Sequence, residues 1–299
     1  MVQKNNLNRK FLVICGPTAS GKTSLSLEIA KKYNGEIISA DSMQIYRYLD
    51  IGTAKITPDQ MQGISHHMID ILDPDESYSV AQYQEQAFDI IDDIISRGKL
   101  PIVCGGTGLY VNSLIYNYDF CNAQPDYQFR QKLHEISSKS NGIDELYDIL
   151  LKLEPNTTIH KNNVKRVIRR IEILSQENNT NKTNNTLNPN IQTVAIIPNR
   201  ELLYSNINKR VDEMFDLGLV QEFENIKEKF CLNSTHQSMT AIGYKEFFMN
   251  FDDETTLREK IKQYTRNYAK RQITWFKKIE GVQILENAKE FEKHLQVFK

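Results

Sequence analysis

A chain of 299 residues, 40% hydrophobic and 25% charged, has the composition of a globular protein with room for one large domain or two ordinary ones. Its net charge of −1 offers a polyanion no whole-molecule attraction, so a nucleic-acid partner must be argued from local charge. No apolar run approaches the ~18–20 residues that cross a bilayer, and the N-terminal MVQKNNLNRKFLVICGP holds too short an apolar stretch for a signal-peptide core.

In chain order, FLVIC (11–15) has the pattern of a buried strand, and a helix over Lys22 to Tyr33 follows with Leu25, Leu27, Ile29 and Ala30 available for packing. EIISA (36–40) reads as a second strand and HHMIDIL (66–72) as a third. Ser79 and Gln82 have the spacing of a capping box, and behind them Val80, Tyr83, Ala87, Ile91 and Ile94 recur at helical spacing. PIVC (101–104) is another strand, and GGTGLY (105–110) is a turn entering a helix. Such alternation specifies a parallel α/β sheet. From 121 to 192 the strand signals vanish: 129–137, 144–153 and 163–175 are helical, and ENNTNKTNNTLNPN (177–190) is too polar to pack and reads as a surface loop. Strand character returns in TVAIIP (193–198), and the tail is helical, its longest helix spanning 255–279. The expected organisation is an α/β core over 1–120 and 193–299 that carries an all-helical insertion over 121–192.

The cysteines Cys15, Cys104, Cys121 and Cys231 are widely spaced and form no C-x-x-C pair, against both a zinc knuckle and a disulfide framework. The N-x-[ST] matches at Asn178, Asn181 and Asn184 are compositional, and a cytoplasmic location is expected. His66 and His67 are adjacent on a strand and therefore point to opposite faces, so they read as structural rather than as a metal pair.

The run GPTASGKT places Gly16, Gly21, Lys22 and Thr23 in the pattern G-x-x-x-x-G-K-[ST], with Pro17, Thr18, Ala19 and Ser20 between. Backbone N–H groups of such a loop, at a helix N-terminus, form an anion nest. Lys22 adds a positive charge, and the Thr23 hydroxyl can ligate a phosphate-bound Mg²⁺. A nucleoside triphosphatase usually carries a second strand ending in a metal-supporting Asp, but PIVC ends in Gly105-Gly106-Thr107-Gly108. The better-placed acid is Asp41, at the carboxyl end of EIISA. Its residue type suits a metal-supporting acid, a general base or a turn cap.

Two segments are locally basic. KNNVKRVIRR (161–170) has five basic residues and no acid, and LREKIKQYTRNYAKRQITWFKK (257–278) has eight against one. In the second, Arg258, Lys262, Arg266 and Lys270 form one helical stripe opposite an apolar face of Leu257, Ile261, Tyr264, Tyr268, Trp275 and Ile279. Segregated charge of this kind suits RNA, which the two clusters could clamp.

Taken in order, DSMQIYR (41–47), DIGTAK (50–55), HHMID (66–70), NNVKRVIRRIE (162–172), INKRVDEMFDLGLVQEF (207–223), AIGYKEF (241–247) and TRNYAKRQITWF (265–276), with GPTASGKT and GGTGLY, resemble the tRNA dimethylallyltransferases, or tRNA isopentenyltransferases, over nearly the whole chain. The resemblance implies a P-loop NTPase-like core with an all-helical tRNA-binding insertion. The implied reaction moves a dimethylallyl group from dimethylallyl diphosphate to the exocyclic amine of the adenosine just 3′ of a tRNA anticodon, releasing pyrophosphate. Residues Gly16 to Thr23 would hold the diphosphate, with Mg²⁺ at Thr23 and with Lys22 and Arg210 neutralising the leaving group. Asp41 matches the residue that accepts the amine proton, and Thr107 one near the target nucleotide. Extrusion of the target base would place it beside Asp41, Ser42, Met43 and Gln44, with the Gln44 amide reading a base edge. Arg130 and the run Lys165, Arg166, Val167, Ile168 and Arg169 match tRNA contacts on the insertion. Lys270, Arg271, Gln272 and Trp275 match a contact region beside the anticodon stem. Glu154 and Arg170 depart from the common residues, Asp and Ala. The C-terminus lacks the Cys/His zinc finger of eukaryotic relatives, which points to the bacterial type. A monomer is expected. The rival readings are a prenyltransferase of free adenine nucleotides, a P-loop kinase and a non-catalytic RNA-binding ATPase.

Overall fold

The computed structural model describes residues 9–116, 118, 120, 126–176, 187–251 and 253–291. Cys121, most of the Asn-rich tract and its three N-x-[ST] asparagines lie outside them. The chain divides into two compact units, Met1–Tyr118 with Asn185–Lys299, and Asp119–Asn184.

In the larger unit, six parallel strands lie in the order β3-β2-β4-β1-β5-β6. They are β1 Phe11–Cys15, β2 Gly35–Ser39, β3 His66–His67, β4 Leu100–Gly105, β5 Ile191–Ile196 and β6 Gln283–Leu285. The helices between them are α1 Lys22–Lys32, the one-turn α2 Pro58–Met61, α3 Val80–Ser96 and α4 Gly108–Ile115. Central strand β1 pairs with β4 through Val13↔Val103 and with β5 through Val13↔Thr193. Its side chains alternate between two cores, as strand geometry requires. Leu12 and Ile14 pack with Leu25, Ile29 and Ala30 of α1, whereas Phe11, Val13 and Cys15 share the core of Tyr83, Ala87 and Ile91. Each such buried aliphatic side chain contributes about 1.5–3 kcal/mol, which is why FLVIC is apolar throughout. The capping box of α3 forms, Ser79 Oγ accepting from Gln82 N at 3.3 Å and Gln82 Oε1 from Ser79 N at 2.9 Å.

Two strands differ from expectation. HHMIDIL yields only the two residues of β3, because Met68 (φ 61) and Asp70 (φ 54) turn into the left-handed region. The buried ammonium of Lys55 accounts for that turn, donating to Asp70 Oδ1 and Asp50 Oδ1 at 2.6 Å and to Tyr46 O at 2.7 Å. β5 begins at Ile191, so an insertion boundary at 192 falls inside a core strand.

The amino-terminal end of β2 carries a buried carboxylate, Glu36, bound by Arg97, by Lys99 Nζ at 2.7 Å and by His67 Nε2 at 2.8 Å. Arg97 first, then Lys99 and His67, hold its carboxyl far below the usual range. His66 Nδ1 lies 2.9 Å from Ile64 O, so each histidine is occupied by a structural hydrogen bond.

After β5 come α8 Arg200–Asp216, α9 Leu219–Lys229 and α10 Glu254–Phe276. The expected basic stripe of α10 faces α8 over three of its four residues. Arg258 lies 3.5 Å from Asp212, Lys262 lies 2.8 Å from Asp212, and Arg266 donates to Asn208 Oδ1 at 2.6 Å. Lys262 is 11% exposed, so this charge is committed inside the fold and is not an open polyanion surface. Lys270, the last of the stripe, is exposed. No helix of the described residues is long and apolar enough to cross a membrane.

The smaller unit packs α5 Tyr127–Ser137, α6 Gly142–Leu153 and α7 Val164–Ser175 around Leu133, Leu146, Leu150, Val167, Ile168 and Ile171. Its buried Glu172 accepts from Arg130 Nε at 2.9 Å and Asp126 N at 2.8 Å, and also binds Arg169. The two sequence departures are partners: Arg170 Nε donates to Glu154 Oε2 at 2.9 Å.

Candidate active site

The carboxyl ends of β1, β2 and β4 surround one cleft of about 400 Å³, where open α/β sheets place their ligands. After β1 the chain turns through the P-loop, and Gly21, left-handed at φ 91, is the N-cap of α1. A side chain is rarely tolerated in that conformation. Lys22, Thr23 and Thr18 line the cleft, with Arg210 entering from α8. Lys22 Nζ donates to Pro17 O at 2.6 Å, and Arg210 Nη1 to Thr18 Oγ1 at 3.1 Å. Burial pushes the Lys22 ammonium down to about 8, and Arg210 adds to the effect while Cys104 and Asp41 oppose it. Burial likewise lowers Arg210. Two half-buried cations lining one cleft form a strong attractor for a dense anion.

Among the cleft-lining residues Asp41 is the sole carboxylate, set against Lys22, Arg210, Lys245 and Arg271. Its Oδ1 accepts from Met43 N at 2.9 Å, so Asp41 does cap its turn, and its other oxygen remains for chemistry. Thr107 stands at the N-cap position of α4 without capping it. Instead Thr107 Oγ1 accepts from Ser42 N at 3.0 Å and faces Ser42 Oγ at 3.2 Å, which ties the β4 end to the Asp41 turn.

The Gln44 amide lines the cleft and is also engaged by the backbone. Its Nε2 donates to Thr53 O at 3.2 Å, so it holds the 50–55 loop against the cleft. From the other side Glu222 accepts from Ile51 N at 2.7 Å, Gly52 N at 3.0 Å and the Tyr244 hydroxyl at 2.6 Å. That role was hidden in LGLVQEF: the motif was visible, but nothing local names a partner so far upstream.

The expected tRNA contacts divide by burial. Lys165 and Arg166 are exposed, and neither forms an ion pair among the described residues. Val167 (0% exposed) and Ile168 (3%) are core residues of the three-helix unit and have no side-chain surface to offer an RNA. Arg130 and Arg169 are partly committed to Glu172. On α10, Lys270 and Arg271 are exposed and Trp275 is half-buried against Gly108. Gln272, 5% exposed, points inward between the P-loop and the β4 end. Tyr268, read in the sequence only as apolar face, lines the cleft, and burial together with Asp41 pushes its phenol up to about 12.

The model of the IPP transferase family matches residues 44–279. A tRNA dimethylallyltransferase of Acetivibrio thermocellus is 48% identical, the match covering 96% of this chain and 95% of that protein. Among solved structures, the full-length tRNA isopentenylpyrophosphate transferase of Bacillus halodurans is 40% identical with a TM-score of 0.71, over 96% of this chain and 93% of that one. A eukaryotic dimethylallyltransferase acting on tRNA is 29% identical with a TM-score of 0.82, over 97% and 77%. With sequence and architecture in agreement across nearly its full length, the chain belongs to the IPP transferase family, alongside the tRNA dimethylallyltransferases.

Proposed function

We propose that this protein modifies tRNA by prenyl transfer, moving a dimethylallyl group from dimethylallyl diphosphate to the exocyclic amine of the adenosine 3′ of the anticodon. The carrying observation is the division of the cleft: Lys22 and Arg210 converge on the P-loop, while Asp41 stands alone as a carboxylate in the same cavity. The cations bind and stabilise the departing diphosphate as the carbon–oxygen bond breaks. As the amine nitrogen forms its bond to that carbon, the free oxygen of Asp41 takes the proton, which keeps the product neutral. Thr107 holds the Asp41 turn in register through Ser42.

Thr23 offers one hydroxyl toward the cleft and Asp41 its only carboxylate. So sparse a donor set fits a phosphate-bound Mg²⁺ for which Thr23 would be the protein ligand. When bound, Mg²⁺ neutralises charge on the leaving diphosphate.

The protein acts as a cytoplasmic monomer on the anticodon stem-loop, with Lys165 and Arg166 of the helical unit and Lys270 and Arg271 of α10 as phosphate contacts. Reversal of Lys165 and Arg166 to Glu is expected to weaken tRNA binding and to flatten its dependence on salt by about two ion equivalents. An unchanged slope removes α7 from the interface. Arg169 is left out because a carboxylate there would face Glu172.

The test of the whole reading is to offer labelled dimethylallyl diphosphate with Mg²⁺ and unmodified tRNA, running AMP and ATP in parallel. Label in tRNA alone supports the proposal. Label in AMP moves the assignment to nucleotide prenylation, and turnover of ATP alone moves it to a kinase or an RNA-binding ATPase.

A further inference from the structure

Gln272 is a neutral side chain buried to 5% exposure beside a phosphate loop, and both ends of its amide are spent. Its Oε1 accepts from Thr18 N at 3.0 Å, and its Nε2 donates to Gly106 O at 2.8 Å. The fit is close: a Cβ at Gly106 would lie 2.5 Å from Gln272 Nε2, so a glycine there leaves the space in which the amide sits. The hydroxyl of the same Thr18 is taken by Arg210 at 3.1 Å. The first turn of the loop is therefore tied off from within, at its backbone donor by α10 and at its side chain by α8.

A P-loop grips phosphates by the number of N–H donors it can turn toward them. Two phosphates can be served by the donors from Ala19 onward, at the N-terminus of α1. A third phosphate in line would call on the donor that precedes them in the loop, Thr18 N–H, since Pro17 has none. Here it would meet the amide oxygen of Gln272 where the Thr18 N–H would otherwise point, in a cleft whose one carboxylate is Asp41. An acceptor oxygen facing phosphate oxygens repels them and leaves the Thr18 donor unavailable.

The geometry points to Gln272 as a specificity residue that closes this P-loop to triphosphates and so selects a diphosphate. The inference rests on the reading of the cleft as a prenyl-diphosphate site, and it assigns the means by which nucleoside triphosphates, abundant in any cell, are kept out.

The test is calorimetric binding of inorganic pyrophosphate and of tripolyphosphate, each with Mg²⁺, to the full-length wild type and to Gln272→Met. Methionine keeps the volume of the buried side chain and removes both polar atoms. The wild type is expected to prefer pyrophosphate by about tenfold or more, roughly the discrimination of one hydrogen-bond donor exchanged for an unfavourable acceptor. In Gln272→Met that preference is expected to shrink to within a few-fold, mainly through tighter tripolyphosphate binding, because Thr18 N–H is released. A folding defect would lower the number of binding sites rather than the affinity of those that remain, so an unchanged ratio of constants in the remaining sites overturns the inference. Wild-type protein that holds tripolyphosphate as tightly as pyrophosphate also overturns it, while leaving the diphosphate reading standing. Wild-type protein that binds neither overturns both.

Discussion

Asp41→Asn is expected to lower kcat for prenyl transfer by about 10²–10⁴-fold, the contribution of a positioned general base, while affinity for tRNA stays within several-fold of wild type. Asparagine is the informative replacement because Asp41 caps a turn in addition to the base role proposed for it. Its Oδ1 caps the turn at Met43 N, 2.9 Å away, and an amide oxygen can keep that bond. What asparagine cannot do is take a proton. Diphosphate affinity is expected to hold or rise slightly, since a carboxylate lining the same cleft as Lys22 and Arg210 has been neutralised. Single-turnover kinetics with preformed enzyme–tRNA complex check this directly. Near-normal turnover in the Asp41→Asn protein would leave Asp41 with its capping role alone.

Removing the charge at Lys22 is the second large effect. Lys22→Met is expected to reduce kcat/KM for dimethylallyl diphosphate by about 10²–10³-fold, the usual loss for one group stabilising developing negative charge. The wild-type lysine also predicts a pH signature. Its ammonium titrates near 8 in the free protein, because burial favours the neutral amine. The anionic ligand prefers the protonated form and raises that value on binding, so affinity is flat below about pH 8. Above it, affinity falls by up to about tenfold per pH unit until the bound-state value is reached. Lys22→Arg, charged throughout, is expected to lose the break. Affinity of the wild type that stays level from pH 7 to 10 would mean that Lys22 does not meet the diphosphate as an ammonium.

The same site shows what a linear reading could and could not reach. GPTASGKT was legible because the loop's chemistry is local: the glycines, the lysine and the threonine act within one turn of chain. Asp41 was legible as a position, at the end of an apolar run, but its capping role became visible only with the Met43 bond. The α10 stripe misled for the converse reason. Arg258, Lys262 and Arg266 form a basic stripe on their own helix, and the acids that engage two of them, Asp212 and Asp216, belong to α8. Counting charge within one segment reports excess only when no other segment packs against it. Val167 and Ile168 teach the same lesson in apolar form, since they sit within a basic run yet face the core of their unit.

The amino-acid sequence by itself determined the strand–helix alternation, the capping box of α3, the phosphate loop and the helical character of 126–176. Each follows from periodicity, capping or turn chemistry among residues a few positions apart. Tertiary structure alone decided where HHMIDIL stops being a strand, because the pull on Asp70 comes from Lys55. It decided that β6 exists, since three residues are too few to show a period and are held only by pairing with β5. It also placed Glu222 on the backbone of 50–52 and Gln272 between Thr18 and Gly106. These are hydrogen bonds between segments far apart in the chain, and their partners are set by how the layers pack rather than by any pattern within a segment.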